Sequence, residues 1–205
     1  LDETIHPSLY ELQGFHTPYL NNRNRDGGGT AIYIRSDLSV RRLKNLELEG
    51  EDWVWAKVTL HDKSIIICST YLPPGQTADR LENFNSKFIE SIALANAHSP
   101  TGIFVLGDFN TGNIFLEDRY NDRSSGPGSS GITTFDLHFK HTLDTLDLTQ
   151  LITTPTRITD TVANLRDLAI TNNTDMIIES GTLSSFGNMD HLPIYITTHL
   201  PSSPR

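Results

Sequence analysis

Cysteine is nearly absent from this chain. Cys68 is its single thiol, so neither a disulfide within the chain nor a cysteine-based zinc site can be built. It follows Ile65, Ile66 and Ile67 in a run that reads as a buried strand. Long apolar runs are absent as well: nothing reaches the roughly 18 residues that a membrane-spanning helix needs. No charged segment leading into an apolar one opens the chain at Leu1. The expectation is a soluble intracellular protein with no membrane partner. Basic residues are scarce beside acidic ones, 16 against 25, which leaves a formal net charge of −9. A protein that holds nucleic acid by surface charge shows the opposite balance. The deficit weighs against tight DNA binding, but not against an enzyme that must release its product and relies on a few local cations and a metal ion. Arg35, Arg41, Arg42 and Lys44 are the only compact basic group, and a solvated strand edge is a simpler reading of them than a phosphate track.

What is present is enough for one core. The chain has 205 residues, 37% of them hydrophobic, which suits one domain over 1–200 with 201–205 as a tail or the start of a linker. It starts at Leu1 and runs straight into patterned sequence, so it is expected to be a fragment. Residues 30–35 alternate apolar and polar after Gly27-Gly28-Gly29 and read as a strand entered through a glycine turn. Residues 53–60 and 64–71, joined by His61-Asp62-Lys63, predict an antiparallel hairpin. Over 78–97 the apolar residues Leu81, Phe84, Phe88, Ile92 and Ala95 recur at helical spacing without a Pro or Gly. The run 103–106, bounded by Gly102 and Gly107, reads as a central strand buried on both faces, which puts Asp108 at a strand's C-terminal end. Residues 119–134 predict a loop, 135–146 a second helix, and 165–171 and 192–198 two more strands. Strands dominate without regular strand-helix alternation, and a layered α/β sandwich suits that better than a doubly wound sheet.

Three carboxylates and an imidazole stand at or beside predicted strand ends: Asp108, Asp167, Asp190 and His191. Phosphodiester hydrolysis needs an activated water, a cation to spread transition-state charge and donors for the non-bridging oxygens. Carboxylate and carboxamide oxygens suit Mg²⁺ or Mn²⁺ and suit zinc less well. Asp108 and Asn110, on either side of Phe109, would point the same way from an extended strand end. Equally, both would cap a turn. Asp190-His191 also reads as a polar turn before an apolar strand, and Tyr71, ahead of Pro73-Pro74, as a strand-end ring over the core.

The order of these features carries more than any one of them. A strand ending in Tyr71-Leu72-Pro73-Pro74, a helix, an apolar strand ending in Gly107-Asp108-Phe109-Asn110, then Asp167, then Asp190-His191 resembles the endonuclease/exonuclease/phosphatase superfamily. Within it the chain is similar to the apurinic-type endonuclease domain of non-LTR retrotransposons of the CR1 and jockey kinds. Segments 25–34, Thr154-Pro155-Thr156-Arg157 and Asp167-Leu168-Ala169-Ile170-Thr171-Asn172 belong to the same resemblance, which covers nearly the whole chain.

The resemblance implies a DNase I-like layered sandwich of two mixed, mostly antiparallel sheets, here without its first strands. It implies a Mg²⁺- or Mn²⁺-dependent endonuclease that nicks double-stranded DNA, with a reverse transcriptase downstream in the same polyprotein and a nuclear site of action; the alternatives are another phosphodiesterase or phosphatase of the superfamily, and a catalytically dead remnant kept as an interaction module. Asp108 would orient or deprotonate the attacking water, and Asn110 would help hold the phosphate. His191 would contact the phosphate with Asp167 fixing its ring, Tyr71 would donate to a phosphate oxygen, and Asp190 would lie at the metal side. Thr156 would line the site. A hairpin over 158–166 would meet DNA, with Thr159, Thr161 and Asn164 as groove contacts. Two departures stand out. The metal-binding glutamate of relatives lies in a Glu-Thr-Trp segment that would precede Leu1, and Glu3 is not its equivalent. Met189 replaces the serine that usually precedes Asp-His, at a cost of about one kilocalorie per mole if a neutral hydrogen bond is lost.

Overall fold

The computed structural model describes residues 7–22, 29–116, 131–185, 187 and 189–199. Segment 1–4, Gly27 and Gly28, most of the loop predicted over 119–134, and the tail 201–205 lie outside the described residues. In chain order the strands are β1 (Tyr19–Asn22), β2 (Gly29–Ile32), β3 (Ser39–Arg42), β4 (Asp52–Leu60) and β5 (Lys63–Tyr71). Helix α1 (Ala78–Asn96) leads to β6 (Gly102–Asp108) and helix α2 (Thr134–Thr145). Then follow β7 (Thr149–Gln150), β8 (Arg157–Ile158), β9 (Ala163–Asn164), β10 (Asp167–Thr171), β11 (Ile177–Thr182) and β12 (Ile194–Thr198).

A mixed sheet in the order β3-β4-β5-β6-β10-β7 forms the central layer. The predicted hairpin is its middle: β4 and β5 pair from Asp52 opposite Tyr71 to Leu60 opposite Lys63, and His61 turns the corner at φ 55°. Among the described strands only β5 and β6 run parallel, because α1 carries the chain back between them. Alternation then sorts the side chains by face. Trp53, Trp55, Ile66, Cys68, Ile103 and Val105 pack with Phe84, Phe88 and Ile92 of α1 and with Phe139 of α2. Val54, Ala56 and Val58 pack on the opposite face against Ile32 and Ile34. That second face is covered by two separate two-stranded hairpins, β1-β2 and β11-β12. The layered α/β sandwich expected from the sequence is thus present, its second layer among the described residues being made of these two hairpins.

Both helices begin on sequence-encoded caps. Thr77 accepts the Arg80 amide at the head of α1, and Thr133 with Asp136 forms a full capping box on α2. The aromatic core they complete reaches the turn after β6. Phe109, fully buried, lies edge-on to Phe84 at 6.1 Å and 5.5 Å from Phe139. Contacts of this kind fix the ring and so aim the flanking Asp108 and Asn110. The expected basic group is spread along an edge: Arg35 pairs with Asp37, while Arg42 at edge strand β3 bonds Glu47 and the Leu20 carbonyl. No described helix is long and apolar enough to cross a membrane.

Candidate active site

Strand register assembles the site. Tyr71 lies opposite Asp108 in the parallel β5/β6 pair, and Asp108 lies opposite Asp167 in the antiparallel β6/β10 pair. Paired residues share a face, so three neighbouring strands present Tyr71, Asp108 and Asp167 in one row at one end of the sheet. β6 can come so close to β5 because of Gly107, where a Cβ would collide with the Thr70 carbonyl oxygen.

His191 arrives from outside the central sheet. An isolated bridge to Arg157 and a 2.6 Å bond from the Leu192 amide to the Thr156 carbonyl oxygen hold its backbone. Its Nδ1 lies 2.9 Å from Asp167 Oδ2. One ligand-type atom from each of Asp108, Asp167 and His191 falls within 4.8 Å of the others. Burial, then the charge on Asp167, pushes the Asp108 carboxyl up to about 6, against the Asn110 amide, His191 and Arg166, which favour its ionised form. Two carboxylates this close oppose each other's ionisation, and a cation between them relieves that repulsion. The oxygen-rich donor set fits a hard divalent ion, with His191 as the one nitrogen.

Of the two geometries open to Asn110, the extended one does not form. β6 ends at Asp108, and Asn110 takes the left-handed conformation at φ 46°. Its amide N–H donates to Asp108 Oδ1 at 3.0 Å and its Nδ2 to the Leu72 carbonyl oxygen at 3.0 Å. The turn reading is the correct one: asparagine tolerates this region and bonds its own backbone neighbours. Asn110 stays at the site, but it clamps the Asp108 turn to the end of β5.

Asp190 is not gathered with the other acids. It is half exposed, and Arg157 Nε donates to its Oδ2 at 2.8 Å. Burial is the largest single influence and works against ionisation there, but the Arg157 hydrogen bond and charge together prevail and hold the carboxyl below its ordinary range. Thr156, expected to line the site, is completely buried. Its Oγ1 accepts the amides of Arg166 at 3.0 Å and Asp167 at 2.9 Å, so it sets where β10 begins. The expected hairpin is present as β8-β9, closed by Thr159 Oγ1, which accepts the Val162 amide at 3.2 Å. Thr161 faces solvent. Asn164 cannot contact a groove as placed: it is fully buried and its Oδ1 accepts from Asn113 at 3.1 Å. Met189, 57% exposed, stands at the rim of a cavity of about 410 Å³ that also touches Asp167, His191, Leu106 and Ile194.

Sequence reading missed Arg166. Its Nη1 lies 3.4 Å from the Asn110 carbonyl oxygen and 3.5 Å from Asn110 Oδ1. Burial lowers its pKa while the charge on Asp108 raises it. The available signal was a cation immediately before the strand-leading Asp167.

No protein-family model and no curated protein sequence matches the chain significantly. Solved structures do match in shape. The endonuclease domain of TRAS1, a telomere-specific non-LTR retrotransposon, aligns with TM-score 0.67 at 16% identity, over 93% of this chain and 83% of its own. The 3′-5′ exonuclease NExo from Neisseria meningitidis aligns with TM-score 0.70 at 14% identity, over 98% of this chain and 86% of its own. A single-site variant of the 3′ phosphatase NExo from Neisseria, bound to a product DNA hairpin, gives 0.66 at 14% identity, over 98% and 86%. The chain therefore has a DNase I-like layered α/β fold.

Proposed function

We propose that the chain is the divalent-metal-dependent phosphodiesterase domain of a non-LTR retrotransposon, which nicks double-stranded DNA and leaves a 3′-hydroxyl for a downstream reverse transcriptase. The observation that carries this reading is the Asp167–His191 pair at 2.9 Å beside an Asp108 carboxyl poised at about 6. A group with that poise is largely ionised at neutral pH yet still basic enough to take a proton. Asp108 orients and deprotonates the water that attacks phosphorus. The new P–O bond forms as the P–O3′ bond breaks, and the departing O3′ is protonated from solvent. Asp167 holds His191 Nδ1, which reserves Nε2 for a non-bridging phosphate oxygen, and Tyr71 is the neighbouring hydroxyl donor in the same row. The Asp108 and Asp167 carboxylates are the groups that would hold Mg²⁺ or Mn²⁺, while Asp190, paired with Arg157, stands apart from them. The bound ion would supply charge neutralisation at the phosphate. Thr159 and Thr161 on the β8-β9 tip are the proposed DNA contacts, and a chromosomal target requires action in the nucleus.

A second reading, attack on DNA ends, is favoured by the likeness to NExo, described both as a 3′ phosphatase and as a 3′-5′ exonuclease. Supercoiled plasmid and a hairpin oligonucleotide with a 3′-phosphate, each given to the full-length protein with Mg²⁺ or Mn²⁺, separate the two. Relaxed circles absent with Asp108→Ala support nicking. Trimmed ends with intact plasmid support the second reading, and neither product from folded protein rejects both.

A further inference from the structure

Behind Asn110, on the helix side of the sheet, lies a cavity of about 340 Å³. That is within the range of about 300–1,000 Å³ typical of small-ligand sites. Pro73, Pro74 and Phe135 give it flat apolar walls, and Gln76, Asn110 and Arg166 bring polar groups to it. Asp136 also lines it, but its carboxylate is occupied: Oδ1 accepts the Gly112 amide and Oδ2 accepts the Thr133 amide and hydroxyl.

The Arg166 side chain springs from a fixed root. Its amide donates to Thr156 Oγ1 at 3.0 Å, and its carbonyl oxygen accepts the Phe109 amide at 3.0 Å. The guanidinium thus lines the cavity beside the turn that carries Asp108, with Nη1 3.4 Å from the Asn110 carbonyl oxygen. A planar cation held there matches a phosphate better than a lysine would. The chain as a whole carries −9, which makes a cation beside the acidic row the more significant for an anionic substrate.

We propose that Arg166 and this cavity form a subsite for one nucleotide flanking the scissile bond, with the guanidinium on its phosphate and Pro73, Pro74 and Phe135 against its sugar and base. The inference rests on the phosphodiesterase reading for its natural substrate, but not for its test.

Thymidine 5′-monophosphate, thymidine and inorganic phosphate are titrated into the full-length protein without metal, and amide shifts are followed by NMR. The monophosphate should bind tightest and perturb Phe135 and Arg166. Arg166→Gln should weaken it about tenfold or more, to the level of thymidine, with Arg166→Lys intermediate. Gln76→Glu, a change on the turn at the cavity mouth, should weaken the monophosphate and leave thymidine unchanged. A loss confined to the phosphate-bearing ligand cannot come from misfolding. Unchanged monophosphate binding in Arg166→Gln and Gln76→Glu, or shifts remote from Phe135, overturns the subsite even if the protein nicks DNA. Arg166-dependent binding by a protein that nicks nothing upholds the subsite and removes the nuclease.

Discussion

His191 Nδ1 lies 2.9 Å from Asp167 Oδ2, and this bond joins a side chain from the segment before β12 to the first residue of β10. It decides which ring nitrogen faces outward. Nδ1 carries a proton toward the carboxylate, so Nε2 is the nitrogen that faces outward, and it donates to a phosphate oxygen in the protonated ring. Asp167→Ala should release the ring into a mixture of tautomers, visible in ¹⁵N spectra, and should slow nicking by about 10²- to 10³-fold. An unchanged tautomer in the variant would mean that the bond does not orient His191.

Asp108 makes a prediction of opposite sign for stability and activity. Its folded pKa of about 6 exceeds the ordinary carboxyl value of 3.8, so the folded state holds the proton more tightly. The stability associated with the protonated form is complete below about pH 4 and is lost as pH rises through about 6. Asp108→Asn should therefore stabilise the protein by about 1–2 kcal/mol at pH 8, a melting-point gain of about 2–8 °C. The gain should vanish near pH 4 while nicking is abolished. A variant less stable than the parent at pH 8 contradicts the strain assigned to this charge.

Thr156 acts at a distance from the substrate. Thr156→Val leaves two part-buried amides without their acceptor, a cost of about 1–3 kcal/mol, and frees the start of β10. Thr156→Ser keeps the oxygen and should restore both stability, to within about 1 kcal/mol, and the His191 tautomer. Equal damage from valine and serine would assign the effect to packing.

Asn110 separates backbone from amide. Asn110→Ala must hold φ 46° with an unfavourable residue and should lose about 1–2 kcal/mol, plus the bond to Leu72. Asn110→Gly keeps the turn at lower cost but lacks the amide. Thermal melts of the two variants should rank glycine above alanine, and the reverse order would mean that the left-handed turn is not what Asn110 supports.

The elements legible in the sequence are those whose burial follows one period. The hairpin of β4 and β5, α1 and β6 each display it, and Asp108, Asp167 and His191 can be placed at strand ends from those patterns. For Asn110 the sequence leaves two readings, because alternation extrapolates a strand past its end, whereas an asparagine two residues on can turn back to bond Asp108. Asp190 is grouped with His191 by adjacency, but its partner Arg157 lies 33 residues away and no local pattern reports it. Asn164 looks like a surface polar residue in a short hairpin, and only the fold reveals Asn113 bonded to it. Arg166 is overlooked for the converse reason: a single arginine at a strand entrance is ordinary until Asn110 and a cavity are found beside it.

The central claim is that Asp108, Asp167 and His191 work together on a phosphodiester with a divalent ion. Its most direct test is nicking of supercoiled plasmid by the full-length protein in Mg²⁺ or Mn²⁺, with the 3′ ends probed by polymerase extension. Relaxed circles with extendable 3′-hydroxyl ends are expected from the parent and should be lost in Asp108→Ala. Relaxation that persists in Asp108→Ala, or none at all from folded protein in either metal, would contradict the claim.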